Sequence, residues 1–467
     1  MGKEVFVLVG QSMQAAMNWP TLLSPRRLRE SRSPRADGRS PFQQDLDRIV
    51  FSFAFRRLQN KTQVHSLPGN DHVRNRLTHS VEVASVGRSL GALVGRRLGA
   101  KHPELNLDGE AIGHIVHAAA LAHDIGNPPF GHSGEDAIRQ WFRERLPERL
   151  QQALSPAQRA DFEAFEGNAQ GFRILTQLEN HRWEGGLRLT HATLAAFMKY
   201  PRASDLEPRA GDPGGKKVGF YQAERAYMHE LAKELGLPPR QVPGEQLAIG
   251  ENLSAPRYWA RHPLAYLVEA ADDICYTLVD LEDGFELRML SYEQVREAFA
   301  PFLGNYHPRV YANRREEVGH WRASAIGCLI AAAAEAFCEH EAELLEGNFM
   351  RELLSATPHW QTICQAQSLA EREIFSSPRK ARAELSGHEV IVGLLDDFGH
   401  MIHALMLCDW RVEKLRGREA KLSELLGVDL LGVGQAYPAL LRITDFIAGM
   451  TDRYALELFR ALRGYGF

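Results

Sequence analysis

"ALAHDIGNPPFGHSGEDAI" spans Ala120–Ile138, and the way its first helix ends decides how the whole chain is read. An apolar run closes on His123-Asp124. The chain then breaks at Gly126 and Pro128-Pro129, and His132 stands just before what reads as a new helix. Successive residues on a helix point about 100° apart, so adjacent His and Asp side chains can meet at one point only near a helix end. The break at Gly126 supplies that end. Upstream, "EAIGHIVHAAALA" is apolar nearly all round, as a buried central helix is. Buried charge is costly unless it is paired or coordinates a cation, so this helix end predicts a metal site.

Two remote stretches offer further ligands: His79 in "NRLTHSVEV", near the start of a helix, and the pair Asp272-Asp273 in "EAADDICY". Imidazole mixed with carboxylate suits a divalent ion of intermediate hardness, such as Mn, Fe, Zn, Mg or Co. Each feature alone is weak. A His-Asp dipeptide arises by chance, a buried His is usually a satisfied core residue, and an Asp pair is usually a surface or cap feature. Their position inside nearly apolar helices sets them apart.

Working outward, the periodicity from Gln43 onward is mostly helical, through "RLTHSVEVASVGRSLGALVGRRLG", "HPLAYLVEAADDICYTLVDLEDG" (ending at Gly284), "SAIGCLIAAAAEAFCEHEAELLEG" and the C-terminal "YPALLRITDFIAGMTDRYALELFRALRG". Only "GHEVIVGLL" and "KKVGFYQ" offer short strands or loops. Glu207–Lys217 and Leu235–Gln246 are Gly/Pro-rich excursions. The expected fold is all-α with loop insertions and few or no strands: residues 43–467 form one domain, and residues 1–42 form an extension. Within that extension Met17 looks like a second start, and the Arg/Ser/Pro-rich Ser24–Phe42 reads as a mobile basic arm.

With 467 residues, 44% hydrophobic and 24% charged, the composition is that of a soluble globular protein. A net charge of -4 draws neither nucleic acid nor membrane to the chain as a whole, so an anionic ligand needs local basic groups. Five scattered cysteines without a CxxC pair point to a reducing compartment, the cytoplasm, and away from a cysteine-zinc site. No apolar run reads as long enough to span a membrane, and "MGKEVFVLVGQS" is too short for a secretory signal.

The stretches "DLDRIVFSFAFRRLQNKTQV", "NRLTHSVEV", "AHDIGNPPFGHSGEDAI", "FEGNAQGFRIL", "MKYPR", "EAADDICYTLVDLEDG" and "DFIAGMTDRYAL" together resemble the HD-superfamily deoxyguanosine triphosphate triphosphohydrolases, from about residue 43 to the C-terminus. The resemblance implies an HD-type helical core and a metal held by His79, His123, Asp124 and Asp272. Mn2+ or Mg2+ is favoured, with Fe, Co, Ni and Zn open. Helical spacing also favours Asp272 over Asp273, because Asp272, Tyr276 and Asp280 recur at steps of four and share one face. That face could carry a ligand, a ring against a sugar and a carboxylate for its 3′-hydroxyl. Tyr276 could equally be simple core packing.

The implied reaction is hydrolysis of deoxynucleoside triphosphates at the α-phosphorus, guanine favoured, giving deoxynucleoside and triphosphate. His132 is the expected acid/base and Glu135 its orienting partner. Ser133 reads as the N-cap, with Asp136 as a capping-box partner, which places His132 just before the helix and Glu135 in its first turn. The helix dipole disfavours imidazolium there and Glu135 favours it, a balance that suits proton transfer. By resemblance Arg76, Lys199 and Tyr200 hold the triphosphate, with Lys217 a weaker candidate, and Gln63 and Val64 touch the sugar or base. The family also implies a homo-oligomer, a hexamer most of all, a possible nucleotide effector and possible single-stranded DNA binding. Two alternatives stay open: another HD nucleotide phosphohydrolase or phosphodiesterase, and a nucleic-acid-binding HD protein using the Arg-rich arm.

Overall fold

The structure is a computed structural model, and it describes residues 16–30, 38–63, 74–180, 184–240, 256–304, 310–376, 378–426, 430 and 433–465. Among the described residues there are 20 α-helices and no strands, with only isolated β-bridges. The expected all-α fold with few or no strands is therefore present among the described residues. Ten helices matter for the site: α1 (Pro41–Val50), α2 (Arg76–Lys101), α3 (Gly109–Ala122), α4 (His132–Glu144), α5 (His191–Phe197), α6 (Pro263–Glu286), α7 (Arg314–Glu339), α8 (Pro378–Leu407), α9 (Ala436–Ala448) and α10 (Asp452–Leu462).

The antiparallel pair α2 and α3 forms the centre. A Cβ on Gly95 would lie 2.5 Å from the Gly109 carbonyl oxygen, so only glycine lets the two backbones approach this closely. That pairing of the far end of α2 with the start of α3 also brings the start of α2, with His79, beside the end of α3, with His123. Asn75 caps α2, accepting from the Thr78 N–H while the Thr78 hydroxyl accepts in return. α6 packs across both helices and α7 lies against α2 and α6. Their apolar faces form one core. A second core gathers α4, α8, α9 and α10, around Ile138, Trp141, Phe398 and Leu440.

Several boundaries differ from the sequence reading. "GHEVIVGLL" lies inside α8, and "KKVGFYQ" is a loop with one bridge residue, Phe220. α6 runs past Gly284 to Glu286, because Gly284 sits against Leu290 and Ile374 instead of ending the helix. The described part of the Ser24–Phe42 arm is folded onto the body. Arg27 is buried, pairs with the buried Asp45 on α1 and donates to the backbone carbonyls of Arg188 and Pro41. Ser40 caps α1. The guanidinium finds a carboxylate inside the protein, so this basic residue is not left in solvent.

By length and mean hydropathy, Arg314–Glu339 and Lys380–Leu407 could each cross a membrane, which amends the expectation that no stretch could. Both pack within the fold, the first against α2 and α6, the second against α4, α9 and α10.

Candidate active site

Four side chains from three helices meet at the open end of the first core. His79 lies one turn into α2, His123 is the C-cap of α3 with Asp124 next to it, and Asp272 lies mid-way along α6. The His79, His123 and Asp124 ligand atoms lie within 4.8 Å of one another. Asp272 Oδ1 is 3.2 Å from His79 Nε2 and 3.5 Å from His123 Nε2, and His123 Nε2 is 3.6 Å from Asp124 Oδ1. Donors about 2.1 Å from one ion sit about 3.0–3.4 Å apart, so this spacing suits a single divalent cation.

The outer contacts point the same way. His123 Nδ1–H donates to the Ala120 carbonyl at 2.7 Å, which leaves Nε2 as the lone-pair nitrogen facing the other ligands. Each carboxylate gives one oxygen to a cation and the other to the centre. Arg76 Nη1 donates to Asp124 Oδ2 at 2.6 Å and Lys199 Nζ to Asp272 Oδ2 at 2.7 Å. Asn127 Nδ2 donates to Asp124 Oδ1 at 2.5 Å. Burial opposes ionisation of both carboxylates. The fields of Arg76, His123 and His79 nonetheless hold Asp124 well below its usual range, and Lys199, His123 and His79 do the same for Asp272. Burial lowers His123, against the pull of Asp124 and Asp272, which favours the neutral, ligating form. Burial would also lower His79, but the hydrogen bond and field of Asp272 raise it instead.

A cavity of about 320 Å³ opens over these groups, a size that admits a small ligand. Its wall includes Gln63, Arg76, His79, His123, Asp124, His132, Lys199, Tyr200, Lys217, Asp272 and Tyr276. Tyr276 is 38% exposed and stacks on Phe375, with ring centroids 5.6 Å apart, so it is a wall residue and not core packing. Lys199, Tyr200 and Lys217 converge because two loop strands pair. Gly219 N–H donates to the Arg202 carbonyl at 2.9 Å, and Arg202 Nε donates to the Lys217 carbonyl at 3.0 Å.

His132 and Glu135 form a tethered pair on the opposite side, at the start of α4. His132 Nδ1 lies 2.9 Å from Glu135 Oε2, and Glu135 Oε1 accepts the Gly167 N–H at 2.7 Å. Glu135 is buried behind His132, whose own side chain is 78% exposed. Burial would raise Glu135, but the hydrogen bond and field of His132, the field of Lys217 and the Gly167 N–H together lower it. The pair therefore presents His132 Nε2 outward with its other nitrogen held by a carboxylate.

Two expectations change. Ser133 is not the cap: Gly131, at φ +57°, precedes a helix that begins at His132 with no side-chain cap, and Ser133 Oγ donates to the Glu384 carbonyl. Asp280 shares the face of Asp272 and Tyr276 but is not in the cavity wall. Each further turn of α6 advances about 6 Å, and this carries Asp280 beyond the wall into buried surroundings. Burial pushes its carboxyl up to about 8, and Oδ2 has no hydrogen-bond partner. Val64 lies outside the described residues.

The wall also contains residues the sequence did not single out: Asn127, Glu166, Asn168, Phe375 and Lys380. Glu166 Oε1 accepts from Lys217 Nζ at 3.1 Å and from Asn168 Nδ2 at 2.9 Å. Asn127, Glu166 and Asn168 belong to quoted motifs, so a role could have been sought there. Phe375 and Lys380 carried no local signal: Phe375 reaches the cavity by stacking on Tyr276 of α6, and Lys380 comes with α8, which packs against α4.

The HD domain family model matches residues 76–194, which contain His79, His123, Asp124 and His132. The chain is 42% identical over 463 residues to a "Deoxyguanosinetriphosphate triphosphohydrolase-like protein" of Pseudomonas aeruginosa (strain LESB58), covering 96% of this chain and 99% of that protein. A protein of the same description from Synechocystis sp. (strain ATCC 27184 / PCC 6803 / Kazusa) is 39% identical over 458 residues, with 96% and 99% covered. The "Deoxyguanosinetriphosphate triphosphohydrolase" of Serratia proteamaculans (strain 568) is 32% identical over 504 residues, with 90% and 93% covered. Near-full coverage of both partners at this identity leaves one conclusion: the chain belongs to the deoxyguanosinetriphosphate triphosphohydrolase-like family of HD-domain hydrolases.

Proposed function

We propose that this protein hydrolyses deoxynucleoside triphosphates, dGTP in preference, at the α-phosphorus, releasing deoxynucleoside and intact triphosphate in the cytoplasm. One observation supports the reading: the His79, His123 and Asp124 group, with Asp272 beside it, and a carboxylate-held imidazole face the same cavity, whose wall also bears Lys199, Tyr200 and Lys217. The cation implied by the family, Mn2+ or Mg2+ first, supplies charge neutralisation at phosphate and lowers the pKa of water.

The chain's own groups supply the rest. Lys199, Tyr200 and Lys217 bind the triphosphate, and Arg76 adds a buried guanidinium beside Asp124. Tyr276 packs against the sugar, and Gln63 borders it. His132 Nε2 protonates the departing 5′-oxygen, while Glu135 keeps the imidazole oriented through Nδ1. Water forms the new bond to the α-phosphorus as the P–O5′ bond breaks; the imidazolium proton leaves on the deoxynucleoside, the water's proton passes to solvent, from which His132 is reprotonated, and the charge stays on the triphosphate. The 3′-hydroxyl contact expected of Asp280 is not part of this reading, because its carboxyl stands behind the cavity wall.

The test is a panel of the four dNTPs with several divalent metals, products separated by anion exchange. Triphosphate with free deoxynucleoside, fastest from dGTP, is expected. Monophosphate or pyrophosphate as the product overturns the reaction, and a flat or inverted base preference overturns the dGTP assignment.

A further inference from the structure

The turn between Asp124 and His132 is held in an unfavourable shape. Phe130 has φ +63°, where a residue with a Cβ is disfavoured by about 1 kcal/mol, and Gly131 follows at φ +57°. A Cβ on Gly131 would meet Arg76 Nη2 at 2.7 Å, so this backbone lies against a cavity residue. Something outside the turn must fix it.

The break between α9 and α10 does so. Asp452 is the first residue of α10, yet Thr451 already caps that helix by accepting from the Tyr454 N–H. Asp452 is thereby free to point outward. Its Oδ1 accepts the Phe130 N–H at 3.0 Å and its Oδ2 accepts the Thr62 N–H at 2.9 Å. One carboxylate thus joins the residue two before His132 to Thr62, another residue of the cavity wall. Lys61 makes a parallel tie, its Nζ donating to the carbonyls of Asn127 at 2.5 Å and Ala448 at 2.8 Å. The Phe130 ring closes the arrangement by lying over Gly387 of α8, where a Cβ would meet it at 2.5 Å.

We propose that Asp452 is a positioning residue: by binding the Phe130 and Thr62 N–H groups it holds the Asp124–His132 turn so that the His132–Glu135 pair faces the cavity. This goes beyond the proposed hydrolysis but rests on it for its effect on turnover. The α9–α10 break then exists to serve the site, in addition to ending one helix and starting another.

The test compares full-length Asp452→Ala, Asp452→Asn and Thr451→Ala. Thr451→Ala weakens the start of α10 without touching the turn. Amide exchange over residues 125–131 is read by mass spectrometry, alongside bound metal, kcat and KM. Asp452→Ala should speed exchange in that turn and lower kcat about 10- to 100-fold, the scale of an ~1 Å misplacement. KM and metal content should stay within about twofold, because His79, His123, Asp272 and the lysines belong to other segments and Asp124, at the near end of the turn, is also held by Arg76. Asp452→Asn keeps one acceptor and should recover part of both effects. Thr451→Ala should leave exchange in the turn and kcat as in the wild type. Unchanged exchange in Asp452→Ala, or equal opening in Thr451→Ala, overturns the tie. An open turn with unchanged kcat overturns the positioning role. If the wild type hydrolyses no dNTP, the proposed reaction fails instead, and the exchange data still decide whether Asp452 holds the turn.

Discussion

Gly126 is the sharpest place to perturb the site without touching a functional group. A Cβ there would lie 2.1 Å from the Gly167 carbonyl oxygen and 2.1 Å from the Gly171 nitrogen. Ordinary contact needs about 3.2 Å or more, so Gly126→Ala forces the His123–Gly126 turn and the Gly167–Arg173 helix apart by about 1 Å. Overpacking of this kind costs about 1–3 kcal/mol. The functional cost is separate. Gly167 N–H reaches Glu135 at 2.7 Å, and Asp124 lies two residues before Gly126. A 1 Å displacement therefore loosens the His132–Glu135 pair and shifts one metal ligand, which should lower turnover about 100-fold. Gly171→Ala is the control: its Cβ would meet the far end of a side chain, the tip of the Phe197 ring at 2.8 Å, instead of backbone, and Gly126 N only at 3.5 Å. The assay reads melting temperature, metal per chain after gel filtration, and triphosphate release. A Gly126→Ala protein that melts within a degree of the wild type and turns over at its rate would refute the close-approach reasoning.

Three further outcomes are expected. His132→Ala should keep its metal and lose about 10²–10⁴ of turnover, and an unchanged rate would remove the proton-transfer role. Asp272→Ala should lose both bound metal and turnover, read by elemental analysis, and full metal content would contradict its place among the ligands. His262, buried at the N-cap of α6, accepts from the Leu264 N–H through Nδ1 and donates to the Leu22 carbonyl through Nε2, and burial lowers its pKa from 6.5 to about 4. Because the folded value is depressed, its stabilisation is present above about pH 6.5 and is lost as pH falls through about 4, worth about 3 kcal/mol at most. His262→Asn keeps a cap without a titrating ring, so the stability gap to the wild type, measured in urea, should narrow from pH 7 to 4, and a constant gap would refute this.

How much was legible follows from how far apart the contacting residues lie in the chain. The end of α3 at His123 could be read locally, from an apolar run meeting Gly126 and two prolines. The choice of Asp272 over Asp273 came from a step of four along one helix, and it is Asp272 that faces both imidazoles. The cap of α4 was misread because Gly131 enters it through a left-handed backbone that no sequence pattern announces, so Ser133 was left to bind a carbonyl of α8. Arg27 looked like part of a solvated arm, since its partner Asp45 lies 18 residues away on the other side of a Pro/Ser stretch. Asp452 and Lys61 lie in quoted stretches, yet nothing in the sequence marked them as site residues: they act on backbone groups of the turn, and backbone partners leave no side-chain signature.

The two cores divide the labour of the site. All four proposed cation ligands stand on α2, α3 and α6 or beside their ends, which build the first core, whereas His132 and Glu135 stand on α4, which packs in the second. Loosening one core should therefore separate metal binding from turnover. Leu440 on α9 is fully buried in the second core, and Leu440→Ala should cost about 2–5 kcal/mol. As temperature rises, this protein should lose turnover while its metal is still bound. Leu267 on α6, one and a half turns before Asp272 and fully buried in the first core, gives the contrast. Leu267→Ala should release metal and lose turnover together. Parallel melts followed by metal release and by residual activity distinguish the two, and coincident losses in Leu440→Ala would show that the cores do not act separately on the site.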